Sequence, residues 1–228
     1  MAVSIASRHT VRRWGAGTAG IARALIAANA PLTGVAIAEL VGVSQPRVSQ
    51  VLKQFAERQA VRATEDGYVG RSAKLLDLYR RRARPTVVHP ETYWYSTRPM
   101  SDQAARIVGL ARESGIVVAF SADLAPDLLV PWRHPTLTVV YTSNMLKLDD
   151  AGIVPAEGRA DASIILRWTT DSTLLAAAPP RPSMIDDVPL ADPAQQWWDL
   201  LDLGGEDRRE AADRLRTAMI ERTVPGNR

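Results

Sequence analysis

The 228-residue chain contains no cysteine and only three histidines, His9, His89 and His134. The absence of cysteine excludes disulfides, thiolate catalysis and cysteine-ligated zinc. The three histidines lie far apart in the sequence, so they do not form a metal-ligand motif. We therefore expect neither a metal nor a cofactor.

Long apolar runs are also missing. No stretch approaches the roughly 20 apolar residues that a membrane-spanning helix needs. The first residues, MAVSIASRHTVRRWG, lack the apolar core of a secretion signal. We expect a cytoplasmic protein with no membrane partner, and the length allows two modest domains.

Charge is divided unevenly along the chain. Residues 1–100 hold 15 basic and 6 acidic residues, whereas the remainder holds 13 basic and 19 acidic residues. Phosphate contacts need cations on one part of a protein only. This asymmetry predicts a DNA-binding module joined to a module that does not bind DNA.

Residues 37–54, IAELVGVSQPRVSQVLKQ, carry the spacing of a helix-turn-helix. Ala38 supplies a small residue where the two helices cross, and Gly42 can take a left-handed conformation in the turn. The remaining key positions are apolar and bury the two helices against each other and against a helix upstream. These positions are Ile37, Val41, Val43, Val48 and Val51.

The second helix of this motif is expected to begin at Ser44 as N-cap, with Pro46 in its first turn. Its outward residues are polar or cationic, and such a row suits a major groove, where Arg can hold guanine and Gln adenine. We expect Arg47 and Gln50 to read bases, although an ordinary solvated helix face is the alternative. The candidate contacts here are Ser44, Gln45, Arg47, Ser49, Gln50, Lys53 and Gln54.

Residues 61–71, VRATEDGYVGR, contain Asp66-Gly67, a strong hairpin-turn signal. A hairpin directly after a recognition helix is typical of the wing of a winged helix. The acids at its turn repel phosphate, so its flanks are the expected contacts, and an ordinary surface hairpin is the alternative. The candidate contacts are Arg62, Tyr68 and Arg71.

The segments around this motif complete the first half. Residues 18–29 predict the first helix, ended by Pro31, and the basic residues before it are interpreted as a disordered terminus or a basic arm. Residues 72–84 predict a linker helix whose apolar side is free to pair two subunits. Its arginines either contact DNA or are solvated. The basic residues before the first helix are Arg8, His9, Arg12 and Arg13.

The second half predicts mixed structure. A helix is expected over 101–113, strands over 116–120, 137–141 and 163–168, and a weaker strand over 174–178. Asp192-Pro193 caps a helix that ends at Gly204-Gly205, and a last helix follows over 206–221.

We therefore predict an α+β protein with an N-terminal winged helix-turn-helix domain over 1–71. A linker helix and an extended, aromatic-rich connection cover 72–100. An α+β domain over 101–228, closed by a C-terminal helical pair, is expected to bind a partner or to regulate.

Residues 189–216, PLADPAQQWWDLLDLGGEDRREAADRLR, resemble the closing helical pair of AbiEi-type winged-helix regulators, the antitoxins of type IV toxin–antitoxin systems. The resemblance covers both halves loosely. It implies a repressor, often of its own operon, whose second domain counters a nucleotidyltransferase-like toxin.

Catalytic motifs are absent from the sequence. Nucleotidyltransferases use a Gly-Ser pair and two carboxylates on a strand to hold metals, and the corresponding places here read Phe120-Ser121 and Thr136-Leu137-Thr138. There is also no P-loop and no G-x-S-x-G. We expect no catalytic residues and no enzyme activity.

The leading hypothesis is a sequence-specific DNA-binding transcriptional regulator that acts on double-stranded DNA as a homodimer. One alternative is a protein-interaction module that neutralises a toxin or another partner. Another is a ligand-sensing regulator whose second domain forms a pocket lined by Trp94, Trp132 or Trp168.

Overall fold

A computed structural model of the protein describes residues 13–85, 87–88, 90–132, 134–175 and 184–224. These residues form several helices and mixed sheets, so the protein is α+β. The helices are α1 (Ala16–Ala27), α2 (Gly34–Val41), α3 (Gln45–Glu57), α4 (Ser72–Arg82), α5 (Met100–Glu113), α6 (Leu124–Leu129), α7 (Ser172–Leu175), α8 (Pro193–Leu203) and α9 (Glu206–Glu221).

The strands are short and belong to three sheets. They are β1 (Val61–Thr64), β2 (Gly67–Gly70), β3 (Thr92–Tyr95), β4 (Val118–Phe120), β5 (Thr138–Thr142), β6 (Val154–Pro155), β7 (Ile164–Trp168), β8 (Met184–Ile185) and β9 (Val188–Pro189).

Helices α1, α2 and α3 pack together at the start of the described chain. The Ala-rich α1 is almost entirely buried, and Ile21 and Leu25 lie in the core between the other helices. The helix ends two residues earlier than predicted because Ala28 leaves helical geometry, with φ −64° and ψ 130°. Residues 8, 9 and 12 of the basic segment lie outside the described residues, and Arg13 is exposed.

The predicted hairpin is present. Strands β1 and β2 pair antiparallel, with Thr64 opposite Gly67 and residues 65 and 66 forming the turn. An isolated bridge joins Leu32 to Tyr68, so the segment between α1 and α2 extends the hairpin. The hairpin is therefore connected to α3 along the chain and to the segment between α1 and α2 through this bridge.

Helix α4 is part of the core. Leu75, Leu76 and Tyr79 are fully buried, and the helix contacts α1, α8 and α9. The expectation that this apolar side could pair two subunits is therefore wrong, because the side is already covered within one chain.

The main sheet has the strand order β4-β5-β7-β3-β6, in which β5 and β7 are parallel and the other pairs antiparallel. Strand β3 lies between β7 and β6, inside the region expected as an extended connection. Trp94 points into the core from this strand. The aromatic-rich connection is thus an inner strand of the sheet of the second half.

The strand expected over 174–178 is wrong in its first two residues, where α7 forms instead. The Asp171 carboxylate accepts a hydrogen bond from the Thr173 backbone N–H at 3.1 Å, and the Asp171 carbonyl accepts one from Leu174 at 3.0 Å. This cap favours a helical turn. Residues 176–178 lie outside the described residues.

The closing helical pair is confirmed. The Asp192 side chain accepts a hydrogen bond from the Ala194 N–H at 2.8 Å and caps α8. Gly204 and Gly205 both take positive φ, which lets the chain reverse into α9. The two helices pack on each other and on α4 and α6.

One hydrophobic cluster runs from α1 to the end of α9, and a smaller cluster lies on the other side of the main sheet. The first half and the second half therefore share a core. In the described part of the chain, no helix is both long enough and apolar enough to span a bilayer.

Candidate functional site

Helix α3 rests on α1 and α2 through one apolar side. Val48 and Val51 are fully buried, and Phe55 is 1% exposed. Gly42 ends α2 in the left-handed conformation expected from the sequence, with φ 68°. The Val43 N–H then bonds to the Ala38 carbonyl at 3.1 Å. This tight turn sets the angle between α2 and α3.

Two glycines of α1 allow the turn between α2 and α3 to approach closely. A Cβ atom at Gly20 would lie 2.7 Å from Cγ1 of Val41, and one at Gly17 would lie 3.0 Å from Cγ1 of Val43. This contact was not predicted from the sequence. The signal was a pair of glycines three residues apart in an otherwise Ala-rich helix.

The outward side of α3 is exposed as predicted. Ser44 occupies the N-cap position, but its side chain makes no capping hydrogen bond, and Pro46 lies in the first turn. The helix has 13 residues and is therefore about 20 Å long. The exposed candidate residues are Ser44, Gln45, Arg47, Ser49, Gln50, Lys53 and Gln54.

Arg47 is held by two neutral oxygen atoms. Its Nη1 donates to Oε1 of Gln50 at 2.7 Å, and its Nη2 donates to Oγ1 of Thr18 at 2.8 Å. Neither acceptor is charged, so the full positive charge of the guanidinium is not neutralised. The two residues expected to read bases therefore contact each other and are tied to α1.

The hairpin is held next to α1 and α2 by backbone contacts. Leu32 and Tyr68 exchange two backbone hydrogen bonds of 3.0 and 2.9 Å. Gly67 has φ +136°, and a Cβ atom there would lie 2.5 Å from the Leu32 carbonyl oxygen. Arg62 and Arg71 are exposed, whereas Tyr68 is half-buried. Arg62 and Arg71 thus lie beside α3 on a hairpin whose position is fixed by these contacts.

The cations of this region are not paired with any acid in the described part of the chain. Among the described residues, Arg47, Lys53, Arg62 and Arg71 form no salt bridge. The acids that lie nearest in sequence are Glu39 of α2, Glu57, which ends α3, and the two acids of the hairpin turn, all of them exposed. The face formed by the outward side of α3 and the hairpin flanks therefore carries positive charge that is available to an anionic partner.

A buried hydrogen-bond network connects α1 to the second half. Arg23 of α1 forms an ion pair of 2.9 Å with Asp171 and donates at 2.8 Å to the Tyr79 hydroxyl. That hydroxyl in turn donates to Oε1 of Gln195 in α8 at 2.7 Å. Burial raises the pKa of Tyr79 above its ordinary value. The tyrosine therefore stays neutral and bridges the two helices.

Asp199 of α8 is the centre of the network and is fully buried. It accepts from Nη1 of Arg167 at 2.6 Å, from the Tyr141 hydroxyl at 2.9 Å and from Oγ of Ser121 at 2.5 Å. Burial, reinforced by the Asp199 carboxylate, raises the pKa of Tyr141 well above its ordinary value. Because solvent does not reach Asp199, we assign this cluster to holding α8 on the sheet.

This network was not predicted from the sequence. The sequence features that correspond to it are polar residues at positions that the structure buries. Gln195 and Asp199 lie four residues apart among the buried, mainly apolar residues of α8, and Arg167 interrupts the apolar run of β7. Pairing across 26 to 148 residues cannot be deduced from such positions alone.

Of the three tryptophans that were considered as alternative pocket residues, two lie together. Trp94 and Trp168 line a cavity of about 150 Å³ on the main sheet. Trp132 instead lies under the Arg214 guanidinium, whose carbon is 3.6 Å from the centre of the indole ring.

No group of three or more His, Asp or Glu side chains is arranged to hold a metal ion in the described part of the chain.

Comparisons with known proteins do not assign the chain to a family. No protein-family model matches it, and neither a curated protein nor a solved structure is significantly similar to it.

Proposed function

We propose that the protein is a sequence-specific DNA-binding transcriptional regulator whose residues 16–71 act as a winged helix-turn-helix. The observation that carries the proposal is the exposed side of α3, where seven hydrogen-bonding or cationic residues and no carboxylate lie between Ser44 and Gln54, on a helix fixed by a buried apolar side.

The dimensions suit a DNA groove. A major groove about 12 Å wide admits one α-helix, and a recognition helix contacts base edges mainly with its N-terminal residues. Gln45, Arg47 and Gln50 lie in the first half of α3. Arg47 can donate to O6 and N7 of a guanine, and Gln50 can pair with an adenine or hold Arg47 in place.

The hairpin supplies contacts of a different kind. Arg62 and Arg71 on its flanks suit phosphate oxygens, as do Lys53 and the hydroxyls of Ser44 and Ser49. Tyr68 is half-buried and has a smaller surface to offer. Phosphate contacts fix the position of α3 on the duplex without reading sequence.

We extend the proposal to a homodimer on a palindromic site. In that arrangement two copies of α3 enter major grooves one helical turn, about 34 Å, apart. The apolar side of α4 is covered within the chain, so another surface must pair the subunits. Selected DNA sites with two half-sites 10 to 11 base pairs apart would agree with this arrangement.

The test is selection of binding duplexes from a random pool and from the upstream region of the protein's own gene. Affinity is then measured over a salt series by fluorescence anisotropy. The Arg47→Ala variant should lose about 5- to 150-fold in affinity for the selected site, which corresponds to about 1 to 3 kcal/mol. It should bind a shuffled duplex almost as the wild type does.

Arg112→Ala is the matched control, because Arg112 is an exposed arginine in the last turn of α5. It should leave both affinities unchanged. If no duplex is enriched, or if selected and shuffled duplexes bind equally, the proposal is wrong.

A second candidate, the neutralisation of a protein partner such as a toxin, is favoured by the acidic balance of residues 101–228, where 19 acidic residues outnumber 13 basic ones. A partner that binds this part should be basic and should co-purify with the full-length chain. It should be released by salt, because exposed charges are screened at high ionic strength.

A further inference from the structure

An open groove, the edge groove, lies where β6 pairs with β3 at the edge of the main sheet. Tyr95 of β3 is directly opposite Val154 of β6, so the two side chains are neighbours on one face of the sheet. Both are exposed, Tyr95 by 44% and Val154 by 56%. Residues 160–163 also line the groove. The edge groove therefore offers an aromatic ring and an aliphatic side chain to a partner.

Two carboxylates line the same groove. Glu157 and Asp161 are exposed, and neither carboxylate forms an ion pair or a hydrogen bond with a described residue. The cation between them in the sequence, Arg159, is engaged elsewhere, because it forms ion pairs with Glu91 and Asp202. Among the described residues that line the groove, none is a lysine or an arginine. The negative charge of the edge groove is therefore not neutralised.

The side chains of the groove differ in how far the protein already satisfies them. The Ser163 hydroxyl donates to Oε1 of Gln103 at 2.9 Å and accepts from the Ser96 N–H at 3.1 Å. The Tyr95 hydroxyl, by contrast, has no hydrogen-bond partner in the described part of the chain, and its ring makes no ring-stacking or cation–π contact there. The polar and aromatic groups that remain available to a partner are thus the Tyr95 side chain and the two carboxylates.

This combination suits a cation that is accompanied by an apolar group. The carboxylates attract a lysine or arginine side chain, and the face of a tyrosine ring attracts the same cation. Val154 and Pro155 are exposed beside them and offer an apolar contact. A small free cation would leave these apolar side chains uncovered, whereas a peptide segment carries both kinds of group on one chain.

We propose that the edge groove is a docking surface for a segment of a partner protein in which a lysine or arginine lies next to an apolar residue. The proposal rests on the second candidate function, the binding of a basic protein partner, and names the surface that serves it. It does not depend on the DNA contacts, which belong to α3 and the hairpin. If a basic partner binds elsewhere on the second half, this proposal fails while the second candidate function stands.

The experiment selects peptides from a displayed random library on the full-length protein, without DNA. The enriched peptides should carry lysine or arginine next to an apolar residue. Fluorescence anisotropy then measures the affinity of the most enriched peptide. Glu157→Gln combined with Asp161→Asn should weaken binding by about 2- to 30-fold, because two exposed ion pairs are lost. Tyr95→Leu should weaken it by about 2- to 5-fold, whereas Tyr95→Phe keeps the ring and should bind as the wild type does.

Asp186→Asn combined with Asp187→Asn is the matched control. These two exposed acids form the turn between β8 and β9, and β9 is bridged to β4 at the opposite edge of the main sheet. The control removes the same charge and should leave the affinity unchanged.

Four results would overturn the proposal. They are that no peptide is enriched, that the enriched peptides lack a cation, that the double variant of the edge groove binds no more weakly than the control, or that spermidine at matched ionic strength displaces the peptide. The last result would make the groove a site for a small polycation.

Discussion

Thr18 on α1 accepts a hydrogen bond of 2.8 Å from the Arg47 guanidinium on α3, although 29 residues separate them. Thr18 is buried, whereas Arg47 is exposed. A buried acceptor thus fixes the direction of an exposed cation at the start of α3. Together with Gln50, it orients the guanidinium before any partner arrives, which lowers the entropy lost on binding.

Replacing Thr18 with valine removes this acceptor while keeping the side-chain shape. We expect specific DNA affinity to fall by about 2- to 12-fold, because ordering one long side chain costs about 0.5 to 1.5 kcal/mol. The salt dependence should stay the same, since no phosphate contact is lost. Anisotropy titrations on the selected duplex measure both quantities.

Thr217→Val is the control for this change, because Thr217 is exposed on α9. Wild-type affinity in both variants would show that Thr18 does not orient Arg47 for binding. If Thr18→Val lowered the affinity for shuffled DNA more than the affinity for the selected site, the result would contradict the assignment of Arg47 to base reading.

Gly67 is predicted to be intolerant of any side chain. Its φ of +136° is strained for other residues, and a Cβ atom would lie 2.5 Å from the Leu32 carbonyl oxygen. Gly67→Ala should therefore separate the hairpin from residue 32 and destabilise the protein by about 1 to 3 kcal/mol. Urea unfolding followed by circular dichroism measures the loss.

Gly109→Ala provides the opposite control. Gly109 lies inside α5 with no atom within 4 Å of the position of its Cβ. Alanine should stabilise this helix by about 0.5 to 1 kcal/mol. Equal effects of the two substitutions would contradict the close approach at Gly67.

The parts of the fold that the sequence could predict are local. Gly42 in the turn, the hairpin at Asp66-Gly67 and the Asp192 cap each follow from the conformational preferences of one or two residues. The seven outward residues of α3 follow from helical periodicity. Their exposure required no knowledge of distant contacts.

The parts that could not be predicted depend on distant partners. Residues 92–95 have β-branched and aromatic side chains that suit a strand, but the strands that pair with them, β7 and β6, lie far along the chain. Residues 174–175 have apolar side chains that also suit a strand. The Asp171 cap stabilises a helical turn there instead. The buried network around Asp199 likewise joins elements that are far apart in the chain.

Within that network, Arg167 and Asp199 form a buried pair at 2.6 Å. Asp199→Leu should destabilise the protein by about 3 to 5 kcal/mol, because it leaves a buried guanidinium without its main partner. In the double variant with Arg167→Met, the loss should be smaller than the sum of the two single losses by about 0.5 to 3 kcal/mol. Guanidinium chloride unfolding of all four proteins completes the cycle, and strict additivity would show that the two side chains do not interact.

Alkaline pH should weaken the fold through Tyr79 and Tyr141. The pKa of each is raised in the folded protein because burial disfavours the phenolate. A raised tyrosine pKa stabilises the folded protein fully at pH values below the tyrosine pKa of the unfolded chain, about 10. This stabilisation is lost as the pH rises toward the pKa in the folded protein. The free energy of unfolding should therefore fall above about pH 10 by up to about 1.4 kcal/mol per pH unit for each tyrosine.

Urea unfolding between pH 8 and pH 11 measures this slope. The hydrogen bond to Glu91 raises the pKa of Tyr93 as well, so Tyr93 contributes to the slope of every variant and the comparison is made between variants. Tyr79→Phe should lower stability at pH 8, because Arg23 and Gln195 lose a hydrogen-bond partner, but should make the alkaline slope shallower. An unchanged slope in this variant would mean that Tyr79 ionises in the folded protein as readily as in the unfolded chain, which its burial between α1 and α8 argues against.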